Sequence, residues 1–233
     1  MYNLQSIDNG NSHPHVGLFE KGELKSVTPL AQFQFDQQID AIASSVGPSK
    51  NLQSISYIDL RPYRKEESFL DMPVNYEMTL GEDRLHQAYY IFKKAHPRLS
   101  LLIDAGTFTT VDFIDESGMK GGYIFPGVQT FLNSYSRGDK LPSLASADNF
   151  TIDFDIPHST NAAIENAMKI SQLSWLEKIL SSHPIEQIYL SGGHGSLFSK
   201  ALEDLFKGNV IFEKNLIHFS LYEIYLYLKN NNI

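Results

Sequence analysis

Leu99-Ser100-Leu101-Leu102-Ile103-Asp104-Ala105-Gly106-Thr107 decides the fold, because its apolar run and Asp-x-Gly turn repeat a phrase from the start of the chain. There Leu4 to Ile7 leads into Asp8-Asn9-Gly10-Asn11, 96 residues earlier. The register continues beyond the motif, since Asp8 lies 14 residues before Gly22 and Asp104 lies 14 before Gly118. A strand, an Asp-x-Gly turn and a second strand, present twice, suggest two copies of one hairpin. Glycine lets such a turn approach a ligand closely, so that peptide N–H groups can point at phosphate oxygens. Asn11, Ser12 and Thr107 can add side-chain donors. A carboxylate repels a nucleotide phosphate unless a cation lies between them, so the two aspartates point to Mg²⁺ or a similar ion. Each phrase taken singly is ordinary turn chemistry; the repetition favours phosphate handling.

Composition narrows the class. The 233 residues suit one large domain or two of about 100 residues each. A 42% hydrophobic content with 15 Phe and 12 Tyr can build a proper core. A net charge of −8 without a Lys/Arg cluster argues against a nucleic-acid surface. Zero cysteines exclude disulfides, thiolate metal sites and cysteine nucleophiles. No apolar run approaches the roughly 20 residues needed to span a bilayer, and Met1 to Asp8 reads as a first strand, not a cleaved signal. A cytoplasmic protein without membrane partners is expected.

Strands are predicted at Leu4–Ile7, Val16–Phe19 and Leu24–Val27, with a turn at Glu20-Lys21-Gly22. Phe33, Phe35, Ile39, Ile42 and Val46 suggest a helix ending near Gly47-Pro48, and Ile55–Leu60 reads as a strand. Thr79-Leu80-Gly81-Glu82 fits a capping box, opening a helix whose Leu85, Ala88, Tyr89 and Phe92 share a face and which ends near His96-Pro97. A second hairpin runs from Leu99 to Ile124, followed by a helix after Gly127 and a long polar loop over 136–158. The helix over Asn161–Leu180 has its apolar face at Ala163, Ala167, Ile170, Leu173, Leu176 and Leu180, with Ser159 or Thr160 as cap. A strand at Ile185–Leu190, a helix at Leu197–Phe206, a strand at Val210–Phe212 and a helix at Leu221–Leu228 complete an α/β pattern, with a boundary near residue 98.

These phrases together resemble the type III pantothenate kinases, of the actin–hexokinase-like phosphotransferase superfamily. The matching residues are Asp8-x-Gly10-Asn11-Ser12, Gly81-x-Asp83-Arg84, Asp104-x-Gly106-Thr107-x-x-Thr110-x-Asp112, Gly121-Gly122-x-Ile124-x-Pro126-Gly127, Thr160-x-x-Ala163-Ile164 and Gly192-Gly193. They span most of the chain, and the central block is the most specific. Departures are Ser12 in place of threonine, the neighbouring His13-Pro14-His15, a partial phrase at Gly138-Asp139-Lys140-Leu141-Pro142, Ala167 for glycine and His194 for aspartate.

The resemblance implies duplicated actin-like (ribonuclease H-like) domains, each a mixed sheet flanked by helices: 1–98 with the phosphate loop, 99–233 with a cation site and a dimer surface. It implies ATP-dependent phosphorylation of pantothenate to 4'-phosphopantothenate, the first step of coenzyme A biosynthesis. Asp83 corresponds to the catalytic base, and Asp8, Gly10, Asn11, Ser12 and Thr107 to ATP contacts. Tyr76, Gly81, Asp83, Arg84 and Thr160 correspond to pantothenate contacts, with Thr160 supplied across a homodimer interface near the substrate. Asp104 corresponds to the ligand of a monovalent cation, K⁺ or NH₄⁺, while Asp8 serves Mg²⁺ on the phosphates indirectly. Simpler origins exist for several of these. Glu82 and Asp83 are acids that a helix dipole favours in a first turn, Thr160 suits a helix cap, and Gly192-Gly193 a strand-to-helix turn. The His13/His15 pair reads as exposed loop histidines, and Tyr222, Tyr225 and Tyr227 as packing or dimer surface. Two other functions stay open: a small-molecule kinase with another acceptor, and a non-catalytic or regulatory relative that binds nucleotide or pantothenate.

Overall fold

The computed structural model describes residues 3–94, 99–144, 150 and 155–232. Three short strands open it, β1 (Leu4–Asn9), β2 (His15–Glu20) and β3 (Glu23–Pro29), followed by β4 (Ala41–Ser45). They form one sheet in the order β3-β2-β1-β4, with β1 antiparallel to β2 and parallel to β4. A strand flanked on both sides and covered on both faces is buried almost continuously. That is the pattern of β1, where Leu4 and Ile7 are inaccessible to solvent. At the edge, β3 carries Glu23, Lys25 and Pro29, residues that discourage pairing with another chain.

The two-residue strands β5 (Arg64–Lys65), β6 (Ser68–Phe69) and β7 (Met72–Pro73) then make a small antiparallel sheet. Helix α1 (Glu82–Lys94) places acids in its first turn and Lys93 and Lys94 in its last, matching its dipole at both ends. The second large sheet contains β8 (Ser100–Ala105), β9 (Phe108–Asp115) and β10 (Gly118–Pro126). Helices α2 (Val128–Ser134) and α3 (Thr160–Ser182) follow, then β11 (Gln187–Ser191), α4 (Gly195–Leu205), β12 (Asn209–Phe212) and α5 (Leu216–Asn230). Its strand order is β10-β9-β8-β11-β12, with β11 parallel to both β8 and β12.

Two compact units result: Met1–His96, Ile114–Gly121 and Asn215–Ile233 in one, Pro97–Phe113 and Gly122–Lys214 in the other. The division is therefore not the single cut near 98, because 215–233 packs with the first unit. There α5 lies against β1 and α1. Phe19 stacks on Tyr222 at 4.6 Å, Tyr89 meets Tyr227 edge-on at 6.0 Å, and Tyr225 donates to Asp40 Oδ2 at 2.6 Å. The tail aromatics are packing residues. In the second unit a core of Leu101, Ile103, Val111, Ile164, Met168, Leu176, Ile188, Phe198 and Leu202 joins sheet to helices.

Four expectations need correction. The helix predicted over 33–46 is absent, and its C-terminal part is β4, whose small side chains fit a strand buried beside β1. Ile55–Leu60 forms only an isolated bridge at Ile58, opposite Ile42. Glu82 does not turn back to close a capping box; its Oε2 accepts the Ser45 N–H at 2.9 Å. The buried stripe of α3 runs through Ile164, Met168, Gln172, Leu176 and Ile179, while Ile170 is half exposed. The cap of α3 is Ser159, whose hydroxyl accepts from Ala162 N. The expected end of α1 near 96 lies outside the described residues. Among the described residues no helix is long and apolar enough to cross a membrane.

Candidate active site

In the first unit the turn after β1 is fixed by Asn9, which is fully buried. Its Nδ2 donates to Ser45 Oγ at 2.9 Å and to Pro48 O at 3.2 Å, and its Oδ1 accepts from Asn51 Nδ2 at 2.8 Å. Its carbonyl accepts from Val46 N at 3.2 Å and Gly47 N at 2.7 Å. A Cβ on Gly47 would stand 2.5 Å from Gly10 O, so only glycine lets the segment after β4 lie against the Asp-x-Gly turn. Asn11 and Ser12 are exposed at the tip, and Asp8 is partly buried at the end of β1.

The other side of that segment holds the start of α1. Glu82 accepts from Ser45 N, and a Cβ on Gly81 would be 3.5 Å from Val46 Cγ1. Asp83 follows, its Oδ1 accepting the Arg84 N–H at 2.8 Å. Burial pushes the Asp83 carboxyl above its ordinary range, against the opposing pull of the Arg84 amide and guanidinium. Glu82 is raised too, first by burial. Arg84 is 4% exposed and its guanidinium lies 5.1 Å from the centre of the Tyr76 ring. An open groove beside it is lined by Glu66, Glu67 and Val74 to Thr79, including Tyr76. Arg64 fixes that wall by donating to Tyr76 O at 2.8 Å.

Ser45-Val46-Gly47 thus contacts the turn after β1 on one side and Gly81 and Glu82 at the start of α1 on the other, within one unit. Sequence reading missed Asn9, Ser45 and Gly47. Their signal was the polar residue inside Asp-x-Gly and a glycine that was read as a helix stop. A Cβ at Gly81 would come within 2.7 Å of Asp83 Oδ1, so Gly81→Ala is expected to displace that carboxylate. Loss of kcat/KM by about tenfold to a hundredfold, with the melting temperature kept, is the expected result of ADP-release and thermal-melt assays.

The second unit holds Asp104, Thr107 and Thr160. Asp104 pairs in register with Ser191, and a Cβ on Gly192 (φ +85°) would meet Asp104 Oδ1 at 2.5 Å and Ala105 O at 2.7 Å. His194 N donates to Ala105 O at 2.9 Å, while its buried Nδ1 has no hydrogen-bond partner. Burial lowers the affinity of this imidazole for a proton. Thr107 is exposed, with its carbonyl held by Gly127 N at 3.2 Å. Thr160 is exposed at the first turn of α3. Asp112 is fully buried, and only a glycine at 122 leaves space for its carboxylate. The pair His13/His15 divides: His15 turns inward, its Nδ1 2.9 Å from His218 Nε2.

Comparison with known proteins bears on the family of the chain. A type III pantothenate kinase from Campylobacter hominis is 26% identical over 220 residues, covering 93% of this chain and 95% of that one. Among solved structures, a Campylobacter jejuni protein described as a Baf family transcriptional activator superposes with a TM-score of 0.65 at 21% identity, covering 99% and 100% of the two chains. A Sinorhizobium meliloti protein described as a 2-dehydro-3-deoxygalactonokinase gives 0.64 at 13% identity, covering 97% and 96%. The fold is the α/β fold of such kinases. The type III pantothenate kinase family pattern matches residues 24–182, more than half of the chain, and the chain belongs to that family.

Proposed function

We propose that the Asp8 turn binds the phosphates of ATP and that Asp83 takes the proton of the acceptor hydroxyl. As a family member the chain is a pantothenate kinase, phosphorylating pantothenate at the expense of ATP in the first step toward coenzyme A. The observation that carries the residue assignment is Ser45-Val46-Gly47, which binds the Asp8 turn on one side and the start of α1 on the other. A primary alcohol is a poor nucleophile at neutral pH, and a carboxylate with a raised proton affinity suits its activation. Most of the acceleration comes from alignment and charge stabilisation. Arg84, held against Tyr76, offers the charge for a carboxylate-bearing substrate beside a groove otherwise rimmed by glutamates.

The residues present fit the expected cations. Among the described residues no three His, Asp or Glu side chains cluster as a metal cage. Mg²⁺ carried mainly by phosphate oxygens and water needs only one nearby carboxylate, and Asp8 supplies it. Such an ion neutralises charge on the transferring group. Asp104 would serve K⁺ or NH₄⁺ as the carboxylate ligand that the family resemblance assigns to it, its Oδ1 packed close to Gly192. Thr107 would add an ATP contact and Thr160 a pantothenate contact.

The two large sheets each set a parallel strand beside the first strand of a three-strand run, which supports the reading of duplicated actin-like domains. Ile170 on α3 and Phe108, Tyr123 and Ile124 on the sheet are 48–57% exposed, which supports a homodimer. A cytoplasmic location completes the reading.

ADP release by the purified protein with ATP and Mg²⁺ is expected to require both pantothenate and K⁺, and to fall when Na⁺ replaces K⁺. Release with a different alcohol alone would reassign the acceptor. Unchanged release in Na⁺ would remove the cation role of Asp104.

A further inference from the structure

A chain of polar side chains crosses the first unit from α5 to the Asp8 turn. Ser6 Oγ lies 3.1 Å from Gly17 O and 2.8 Å from His218 Nδ1. His218 Nε2 lies 2.9 Å from His15 Nδ1, and His15 Nε2 lies 3.5 Å from Asp8 Oδ2. Ser6 and His218 are completely buried. Gly17 belongs to the same construction. A Cβ there would come within 2.7 Å of Ser6 Oγ and 2.8 Å of the His218 ring, so β2 carries glycine where the ring rests.

The proton inventory is restrictive. If Ser6 donates to Gly17 O, His218 donates from Nδ1 and accepts at Nε2, so His15 donates from Nδ1. If instead Ser6 donates to His218 Nδ1, His218 donates from Nε2 to His15 Nδ1, and a neutral His15 carries its proton on Nε2, the side of Asp8. The second arrangement presents a proton to Asp8 Oδ2. The other oxygen, Oδ1, is the nearer one to Gly10, 3.5 Å from where a Cβ would stand there against 4.0 Å for Oδ2. Oδ2 thus lies beside His15, and both oxygens stand within 4.0 Å of where a Cβ on Gly10 would be. Burial keeps His218 neutral, its pKa lowered to about 3.

We propose that His15 and His218 are positioning residues that orient Asp8 for the magnesium–phosphate group of ATP, so that α5 sets the geometry of the first turn. The proposal rests on the assignment of Asp8 to MgATP. Residues that hold a ligating group through its outer hydrogen bonds commonly change affinity by about 10–100-fold when replaced.

The test is MgATP affinity by titration calorimetry for the wild type, His218→Phe, His218→Gln, His15→Ala and Ile224→Ala. Ile224 is fully buried on the same helix but outside the chain of contacts, so it reports helix packing alone. His218→Phe and His15→Ala are expected to weaken binding about tenfold or more. His218→Gln, which keeps a donor and an acceptor, should recover most of it, and Ile224→Ala should bind as wild type. His15→Ala changes only the partly exposed link and serves if His218→Phe does not fold. Wild-type affinity in His15→Ala or His218→Phe, or equal weakening by Ile224→Ala, would overturn the proposal. Absence of MgATP binding by the wild type would overturn it together with the Asp8 assignment. The expected affinity pattern without pantothenate turnover would uphold it and remove only the acceptor assignment.

Discussion

Asp83→Asn is expected to lower pantothenate-dependent turnover by about 10²–10⁴-fold, the range of general acid–base catalysis, while the fold persists. The amide keeps the shape and can still accept the Arg84 N–H that now meets Oδ1 at 2.8 Å. It cannot take up a proton from an alcohol. Burial raises the proton affinity of the native carboxyl, which suits the role of base proposed for it. The effect should therefore fall on kcat, with little change in KM for ATP. Turnover within a few-fold of wild type would remove Asp83 from the role of base and leave catalysis to alignment and charge.

Acidification from pH 7 to pH 5 is expected to destabilise the protein by up to about 4 kcal/mol through two buried histidines. Burial lowers the pKa of His86 and of His218 to about 3. An unfolded histidine titrates near 6.5, so the unfolded state binds protons that the native state refuses, and stability falls as pH drops below about 6.5. At pH 5 each contributes about 1.5 pH units, or roughly 2 kcal/mol at about 1.36 kcal/mol per unit. The loss continues until the pH reaches the native values. Glu82 and Asp83 act in the opposite sense, because their raised native pKa makes folding take up protons and returns some stability as the pH falls. Urea unfolding at pH 7 and pH 5 measures the net slope. His86 has an unpartnered buried Nδ1 and packs 5.2 Å from the Phe69 ring, so His86→Phe should keep the packing and remove about half of the histidine contribution. An unchanged slope in that variant would refute the assignment.

Much of this was legible because it was local. The Asp-x-Gly turns, their flanking strands and the first turn of α1 each lie within a dozen residues, where glycine, proline and periodicity act directly. The region 31–50 misled because β4 is a five-residue strand of small side chains, preceded by coil whose Phe33 and Phe35 pack on the core without regular structure. Apolar spacing alone could not separate those cases. On α3 the apolar positions exceed what one buried stripe needs, and Ile170 went to the wrong face for that reason. The contacts of Asn9 with Ser45 and of His218 with Ser6 were invisible, since each joins residues 36 to 212 positions apart. Gly17 was the one local hint, a glycine inside a strand with no turn to explain it.

The return of α5 to the first sheet sets an order on the making of this protein. Strands β1 and β2 emerge first from the ribosome, but the surface against which Phe19 and His15 pack does not exist until residues 218–222 follow about 200 positions later. Contacts of such separation close slowly, because a long loop must be ordered before they reward it. Until then the apolar side of the sheet is uncovered, and an incomplete chain would present it to chaperones or to other nascent chains. The contacts of His15 are thus completed only when α5 has been synthesised and docked.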